Sequence, residues 1–239
     1  MNKTYYDTNK IYKEDFAMYL NFVNSRAQNY CVNVNTFQGQ LKNLYKQVFS
    51  LMTIHSKTLS NSDVHLKEAI LNLPIALDLL FTNNVNAFRL MSRNIIEQFN
   101  RYLYSKVTNG ETDTIRHMHK FLKMHYKKFK IKKYIEILTS EYKNLCEYVH
   151  VTKQGYFSTE NNLSDYYFNP SQDKNIKTSI KLFNNILQSI MIILISEETS
   201  NYLTLTRDDQ ILVESCITVD LNMYVIIENY YIRRNPTFI

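Results

Sequence analysis

Apolar side chains recur at the spacing of an α-helix along most of this chain of 239 residues. The clearest repeat lies in residues 84–104, where one helical face carries Val85, Phe88, Met91, Ile95, Phe99 and Tyr102. Leu90 and Ile96 extend the apolar surface around this helix. A helix that is apolar on most of its sides belongs inside a domain, so we expect this one at the centre of the fold.

Similar repeats predict helices on both sides of the central one. The predicted helices cover residues 11–30, 37–58, 64–81, 84–108, 111–126, 131–151, 176–202 and 208–232. Asp63 suits the N-cap of the third helix, and Asn109 with Gly110 suits the end of the fourth. Pro74 is expected to kink or split the third helix, because proline lacks the backbone donor and clashes with the preceding turn. Residues 156–173 lack periodicity and predict a long surface loop.

Turn residues are scarce, with only three glycines and three prolines in the chain. A β-fold or a Rossmann-type fold needs many more of them, so we predict an all-α fold with about seven to nine helices in one bundle. Residues 1–61 are predicted to form an N-terminal helical pair packed on the core. Residues 62–239 are predicted to form the bundle itself.

The chain carries features expected of a cytoplasmic protein. The first residues lack the apolar segment of a secretory signal, and the strongly apolar run at 186–195 is too short to span a bilayer. Cys31, Cys146 and Cys216 are odd in number and far apart, which indicates free thiols in a reducing compartment. We therefore expect no membrane association.

A charged stripe runs along the otherwise apolar central helix. Arg89, Arg93 and Glu97 follow one another at intervals of four residues, with Asn94 beside them. An unpaired buried charge costs several kcal/mol, so the stripe requires partners. We predict that it faces residues 142–150, and that any functional site lies between these two helices.

A basic segment follows, in which residues 116–133 contain no acidic side chain. Its lysines are Lys120, Lys123, Lys127, Lys128, Lys130, Lys132 and Lys133. Ile115, Met118, Leu122 and His125 are predicted to face inward and the lysines outward. Such a segment can attract polyanions such as RNA, and the alternative is an ordinary solvated helix face.

Other catalytic patterns are weak or missing. The sequence has no glycine-rich phosphate loop and no zinc-protease or serine-hydrolase motif. His117 and His119 are two residues apart, which directs them to different sides of a helix, and the surrounding lysines oppose a cation. Cys146 and His150 share a helix face at a usable spacing, but a thiol packed beside the core explains Cys146 equally simply. We expect no metal and no cofactor.

Two short motifs resemble a known family. Arg93, Asn94 and Glu97 form R-N-x-x-E within an apolar helix, and about fifty residues later a second helix ends in Y-x-x-L-C-x-Y-V-H. The second motif consists of Tyr142, Leu145, Cys146, Tyr148, Val149 and His150. Together they resemble all-helical proteins of the HEPN type, in particular the branch of uncharacterised bacterial and phage-defence (abortive-infection) proteins.

The resemblance implies an α-helical bundle, often dimeric, whose active members cleave RNA without a metal. In those members an Arg-polar-x4–6-His motif supplies the catalytic pair. Here positions 98–100 read Gln-Phe-Asn and contain no histidine, so His150 is the candidate for that role. Phage defence or toxin activity, with an antitoxin or another defence-system protein as partner, is the biological setting that the resemblance implies.

Roles can be assigned on this hypothesis. His150 is the general acid/base, Arg93 and Arg89 stabilise charge on the phosphorus, and Glu97 orients Arg93. Asn94 and Tyr142 hydrogen-bond the substrate, and the lysines attract the RNA backbone. The alternatives are a helical scaffold or sensor that binds a protein partner or a small ligand, and a protein that binds nucleic acid without cleaving it. In the first of these, Arg93, Glu97, Tyr142 and His150 form a buried polar network that holds two helices in register.

Overall fold

The helical periodicity of the sequence produces helices throughout the described part of the chain. The computed structural model describes residues 8–29, 34–60, 63–81, 85–109, 113–149 and 173–217. The helices are α1 (Thr8–Asn29), α2 (Gln38–Thr58), α3 (Val64–Leu79), α4 (Val85–Thr108), α5 (Ile115–His125), α6 (Lys132–Val149), α7 (Asp173–Glu197), α8 (Thr199–Tyr202) and α9 (Arg207–Glu214), with a 3₁₀ turn (Val34–Phe37) before α2. No strand occurs among these residues, so the all-α prediction is confirmed.

Local capping signals set several helix ends where the sequence predicts them. The Asp63 carboxylate accepts a hydrogen bond of 2.7 Å from the backbone N–H of His65 and caps α3. At the C-terminus of α4, Asn109 has φ 57°, the left-handed conformation that commonly terminates a helix and that asparagine tolerates. Thr114 caps α5 by accepting from the backbone N–H of His117.

The structure tests the predicted break at Pro74 and the predicted bounds of the last two helices. Pro74 does not split α3, which continues to Leu79; the flanking side chains Leu73 and Leu77 are fully buried, and their packing holds the helix across the missing hydrogen bond. The predicted helix 176–202 breaks at Glu198, whose carboxylate is bound by Tyr102 and Lys106 of α4.

The last predicted helix, 208–232, ends early in the described residues. α9 stops at Glu214, and the following turn is tightened by backbone bonds from Cys216 to Val213 and from Ile217 to Glu214. The Ser215 hydroxyl also donates to the Leu212 carbonyl at 2.5 Å, in competition with the regular helix ladder. Residues 218–232 lie outside the described part, as do residues 156–172 of the predicted loop, whereas Asp173 begins α7.

The central helix lies where its apolar pattern predicts. α4 packs against α3, α5, α6 and α7, and Phe88, Ile95 and Phe99 are almost completely buried. One core cluster runs from Val23 of α1 to Ile217 after α9, with α2 packed on α3, α7 and α9. The fold therefore presents α4, with its charged stripe, to three later helices.

The apolar helix α7 is a core element. Its segment Ile176–Glu197 has 22 residues and a mean hydropathy of 1.5, which is long and apolar enough to cross a bilayer. The run at 186–195 is too short to span a bilayer, but it is part of this longer apolar helix. However, 67% of its most apolar stretch of 18 residues is buried inside the fold, so the helix packs as part of the core.

Candidate functional site at the contact of α4, α5 and α6

The charged stripe of α4 faces α6, as the sequence predicts. Tyr142 of α6 is 6% exposed, and its hydroxyl donates to Glu97 Oε2 at 3.2 Å. The same hydroxyl accepts from Arg93 Nη2 at 3.5 Å, and the Arg93 guanidinium carbon lies 5.5 Å from the centre of the Tyr142 ring. Arg93 and Glu97 of the predicted site are thus joined through Tyr142, which lies 49 and 45 positions later in the chain.

Burial and charge determine the protonation of these groups. Burial raises the pKa of Tyr142 to about 12, so its phenol stays protonated and acts as the donor to Glu97. The hydrogen bond to Tyr142 raises the pKa of Arg93, which remains a cation. Arg93 Nε is buried and has no hydrogen-bond partner among the described residues, so this cation retains a donor that its protein neighbours do not use.

The ion-pair partner of Glu97 is a residue that the sequence analysis did not name. Arg101, one turn further along α4, donates to Glu97 Oε1 from Nη2 at 2.9 Å and from Nε at 3.3 Å. Glu97 is therefore held between Arg101 and Tyr142, and it reaches Arg93 through the tyrosine hydroxyl. Arg101 continues the spacing of Arg89, Arg93 and Glu97 by one further step of four, which is the signal that could have identified it.

A buried histidine completes the cluster. His119 of α5 is 8% exposed, its Nε2 lies 2.9 Å from the amide nitrogen of Asn100, and its ring meets the Tyr142 ring edge-on at 5.0 Å. Burial, with the nearby cations Lys123 and Lys143, lowers the pKa of His119 to about 4, so the imidazole is neutral at pH 7. Because Asn100 can only donate from that nitrogen, Nε2 is the acceptor and Nδ1 carries the proton.

The prediction for α5 needs one correction, which concerns its histidines. His125 was predicted to face inward and is exposed, whereas His119 is buried. His119 lies one turn after Ile115 and one position after Met118, so it falls on the apolar stripe of α5. The apolar periodicity of α5 is therefore the signal that predicts a buried His119.

The remaining predicted site residues are placed as follows. Asn94 donates to Glu68 of α3 at 3.2 Å, so in this structure its amide is turned toward α3 rather than toward Tyr142. Arg89 is partly buried one turn before Arg93. Cys146 is a partly buried free thiol one turn after Tyr142. His150 lies outside the described residues, as do the side chains of Tyr148 and Val149.

The basic segment forms a surface beside this cluster. Lys120, Lys127, Lys128, Lys130 and Lys133 are exposed, and Lys123 and Lys132 are partly exposed. Lys132 is partly neutralised, since its Nζ lies 3.5 Å from Glu136 Oε1. Met118, Leu122 and Tyr126 are buried while the lysines are exposed or partly exposed, so the predicted outward orientation of the lysines is confirmed.

His117 and His119 of α5 lie on different sides of the helix. His117 is exposed and pairs with Asp113, while His119 points into the bundle. Within the described residues, no three histidine, cysteine or carboxylate side chains come together in a way that could hold a metal ion. No protein-family model, curated protein or solved structure matches this chain.

Proposed function

We propose that this protein is a metal-independent RNA endonuclease of the HEPN type that acts in phage defence or as a toxin. The observation that carries the proposal is the contact of the two motif halves, through the Arg93–Tyr142–Glu97 connection. The proposal includes a cytoplasmic homodimer that is controlled by an antitoxin or another defence-system protein. The proposed reaction uses no cofactor, only the side chains of the protein.

Arginine suits the charge that develops during RNA cleavage. When a 2′-hydroxyl attacks the adjacent phosphorus, negative charge builds on the phosphoryl oxygens, and a guanidinium can bind two of them at once. Arg93 is held at one point by the Tyr142 hydroxyl, and its side chain remains partly exposed. Glu97 neutralises one of the two flanking arginines, Arg93 and Arg101, so the stripe retains positive charge for an anion.

In this proposal His150 transfers the proton as general acid/base. An imidazole with a pKa near neutrality can take the proton of the 2′-hydroxyl and return it to the leaving 5′-oxygen, which contributes on the order of 10²–10⁴-fold. His119 does not suit that role, because its pKa of about 4 leaves it a weak base and prevents it from acting as an acid at pH 7. His119 acts instead as a positioning residue that packs against the Tyr142 ring.

The exposed lysines of α5 and the following turn bring RNA to the site. They are held on the outer side of α5 and of the turn that leads into α6, whose inner face carries Tyr142. Each phosphate contact that they make releases a counterion, so RNA binding should weaken steeply with salt.

The test is cleavage of labelled RNA by the purified protein in EDTA. Arg93→Ala and His150→Ala should each reduce the cleavage rate at least about a hundredfold, because each removes a group acting in the transition state. Arg207→Ala is the matched control, since Arg207 is an exposed arginine on α9. If both site variants cleave RNA as fast as the parent while unfolding cooperatively, the assignment is wrong.

A second candidate function is nucleic-acid binding without cleavage. It is favoured by the lysine-rich surface, on which Lys120, Lys127 and Lys128 are exposed whether or not the α4–α6 cluster is catalytic. The same assay separates the two candidates, because retention of intact RNA without fragments supports binding alone. Lys127→Glu with Lys128→Glu should abolish retention in either case.

A further inference from the structure

Three large apolar side chains of α3 point away from the core. Val64, Leu71 and Ile75 are 68%, 50% and 47% exposed. Their spacing of seven and four residues places them on one face of the helix, and the buried Leu66 and Leu73 lie on the opposite face. Single exposed apolar side chains are ordinary on a protein surface, whereas an aligned group of them marks a surface for another molecule.

The exposed apolar surface continues onto α1. Phe22 is 51% exposed, and the guanidinium carbon of Arg26 lies 5.2 Å from the centre of its ring. The same guanidinium donates to Asp78 Oδ2 at 2.5 Å, and Asp78 lies one turn after Ile75 on α3. Met18, which is 65% exposed, lies one turn before Phe22. Arg26 therefore bridges the exposed apolar side chains of the two helices, and we call this surface the α1–α3 face.

The α1–α3 face is large enough for an interface between two copies of the chain. Its members Met18, Phe22, Val64, Leu71 and Ile75 together expose roughly 500–600 Å², the size of the largest apolar patch on a typical monomer. Covering the same patch on two copies buries about 1,000–1,200 Å², the lower end of the range for specific interfaces. An area of this size supports a dimer that dissociates on dilution.

The charges beside this face are arranged for a second copy. Lys67 precedes Leu71 by four residues, and Asp78 follows Ile75 by three, so the cation and the anion border the same edge of the apolar stripe on α3. A two-fold axis near the middle of α3 would pack it antiparallel against α3 of a second copy. Leu71 then meets Ile75 of the second copy, and Lys67 meets Asp78 of the second copy. Each contact occurs twice, because such an interface is isologous.

Charge favours this orientation over a parallel one. The rise of 1.5 Å per residue separates the two Lys67 side chains by about 16 Å along the helix axis in the antiparallel pair. A parallel pair would instead place lysine against lysine and aspartate against aspartate, which repel. Lys67 is exposed, and the Arg26 contact engages Oδ2 of Asp78, which leaves Oδ1 as the acceptor for the lysine of the second copy.

We propose that the α1–α3 face is the interface of a two-fold homodimer in which the α3 helices pack antiparallel. This gives an interface to the homodimer of the proposed function and rests on that part of it, but it uses no residue of the α4–α6 cluster. The apolar centre supplies the affinity, and the Lys67–Asp78 pairs at the edge fix the register.

Sedimentation equilibrium of the full chain tests the interface. The parent should show a monomer–dimer equilibrium between about 1 and 100 µM. The variant Leu71→Glu/Ile75→Glu should weaken the dimer at least about a hundredfold, because dimerisation would bury carboxylates without partners. Leu203→Glu is the matched control, since Leu203 is 58% exposed outside the α1–α3 face, and it should leave the dissociation constant unchanged.

Mixed variants test the antiparallel register. Lys67→Glu and Asp78→Lys each place like charges opposite one another, so each variant alone should dimerise at least about tenfold more weakly than the parent. Mixing the two variants restores an opposite charge at both edge positions, so the mixture should dimerise more tightly than either component. Asp78→Lys also breaks the contact with Arg26, and the Leu71→Glu/Ile75→Glu measurement does not depend on it.

Three outcomes would overturn the proposal. A parent that stays monomeric at about 100 µM would leave this face for a different protein. A dimer whose dissociation constant is the same in the parent and in Leu71→Glu/Ile75→Glu would place the interface elsewhere. A mixture that dimerises no better than its components would exclude the antiparallel register. These measurements contain no RNA, so a dimer that leaves RNA intact contradicts the ribonuclease alone, and a monomer that cleaves RNA contradicts the interface alone.

Discussion

Replacing the buried Asp209 by asparagine should destabilise the fold. Its carboxylate is fully buried where α1, α2 and α9 meet. Lys57 Nζ lies 2.8 Å from each of its oxygens, Thr8 Oγ1 donates at 2.8 Å, and Thr206 Oγ1 donates at 2.7 Å. The substitution keeps the size of the side chain but removes the charge that these donors bind.

The magnitude follows from the number and exposure of the partners. A hydrogen bond to a charged group contributes about 1.5–3 kcal/mol, and asparagine retains one acceptor oxygen. The Lys57 side chain is 46% exposed, so water can solvate its ammonium group once the ion pair is lost. We therefore expect the free energy of unfolding to fall by about 2–3 kcal/mol, which lowers Tm by roughly 4–12 °C.

The pH dependence offers an independent measurement on the same residue. Burial alone raises the pKa of Asp209, but the hydrogen bonds from Lys57, Thr206 and Thr8 outweigh it, so the folded-state pKa lies below the ordinary value. The stabilisation is therefore complete above the unfolded pKa of about 3.9 and is lost as pH falls through the folded pKa. The difference between parent and Asp209→Asn should be constant near neutral pH and shrink at the acid end.

Urea unfolding followed by circular dichroism measures both effects. Asp208→Asn is the matched control, because Asp208 is the preceding residue and is exposed, and it should change stability by less than about 0.5 kcal/mol. If Asp209→Asn unfolds within about 0.5 kcal/mol of the parent at pH 7, the buried carboxylate does not join the three helices as described.

Further predictions concern the polar contacts around α4. His119→Ala leaves the amide of Asn100 unpaired and removes a buried ring, so it should lower the free energy of unfolding by about 2–4 kcal/mol. His117→Ala, at an exposed position, should lower it by less than about 0.5 kcal/mol in the same urea titration. Because the pKa of His119 is lowered to about 4, the parent should lose stability as pH falls from 6.5 to 4, and His119→Ala should lack that component. Glu198→Ala removes the acceptor of Tyr102 and should lower the free energy of unfolding by about 1–3 kcal/mol, and an unchanged Tm would contradict this.

Much of the fold is encoded locally, which is why the sequence predicts it. The apolar repeat of α4, the Asp63 cap and the left-handed Asn109 are each decided by residues within a turn or two of one another. The break at Glu198 could not be predicted in this way. It depends on Tyr102 and Lys106, which lie more than ninety positions earlier in the chain.

The candidate site likewise combines contacts that the local sequence predicts with contacts that it does not. Arg93, Glu97 and Tyr142 could be grouped because a charged stripe on an apolar helix requires a partner, and the contact with α6 confirms that grouping. Arg101 and His119 were not predicted, although Arg101 continues the four-residue spacing of the α4 stripe and His119 falls on the apolar face of α5. The pairing of Asp209 with Thr8 joins residues 201 positions apart and leaves no local pattern to read.

The hairpin of α3 and α4 has a consequence for the order of assembly. These two helices are consecutive in the sequence and share the most extensive interface of the described bundle, so their contact closes a short loop at little entropic cost. α2 and α7 meet only after a much longer segment has been made, which places their contact later. Truncation of Leu73 or Ile95, which are buried in the hairpin, should therefore slow refolding, whereas truncation of Leu44 on α2 should mainly accelerate unfolding.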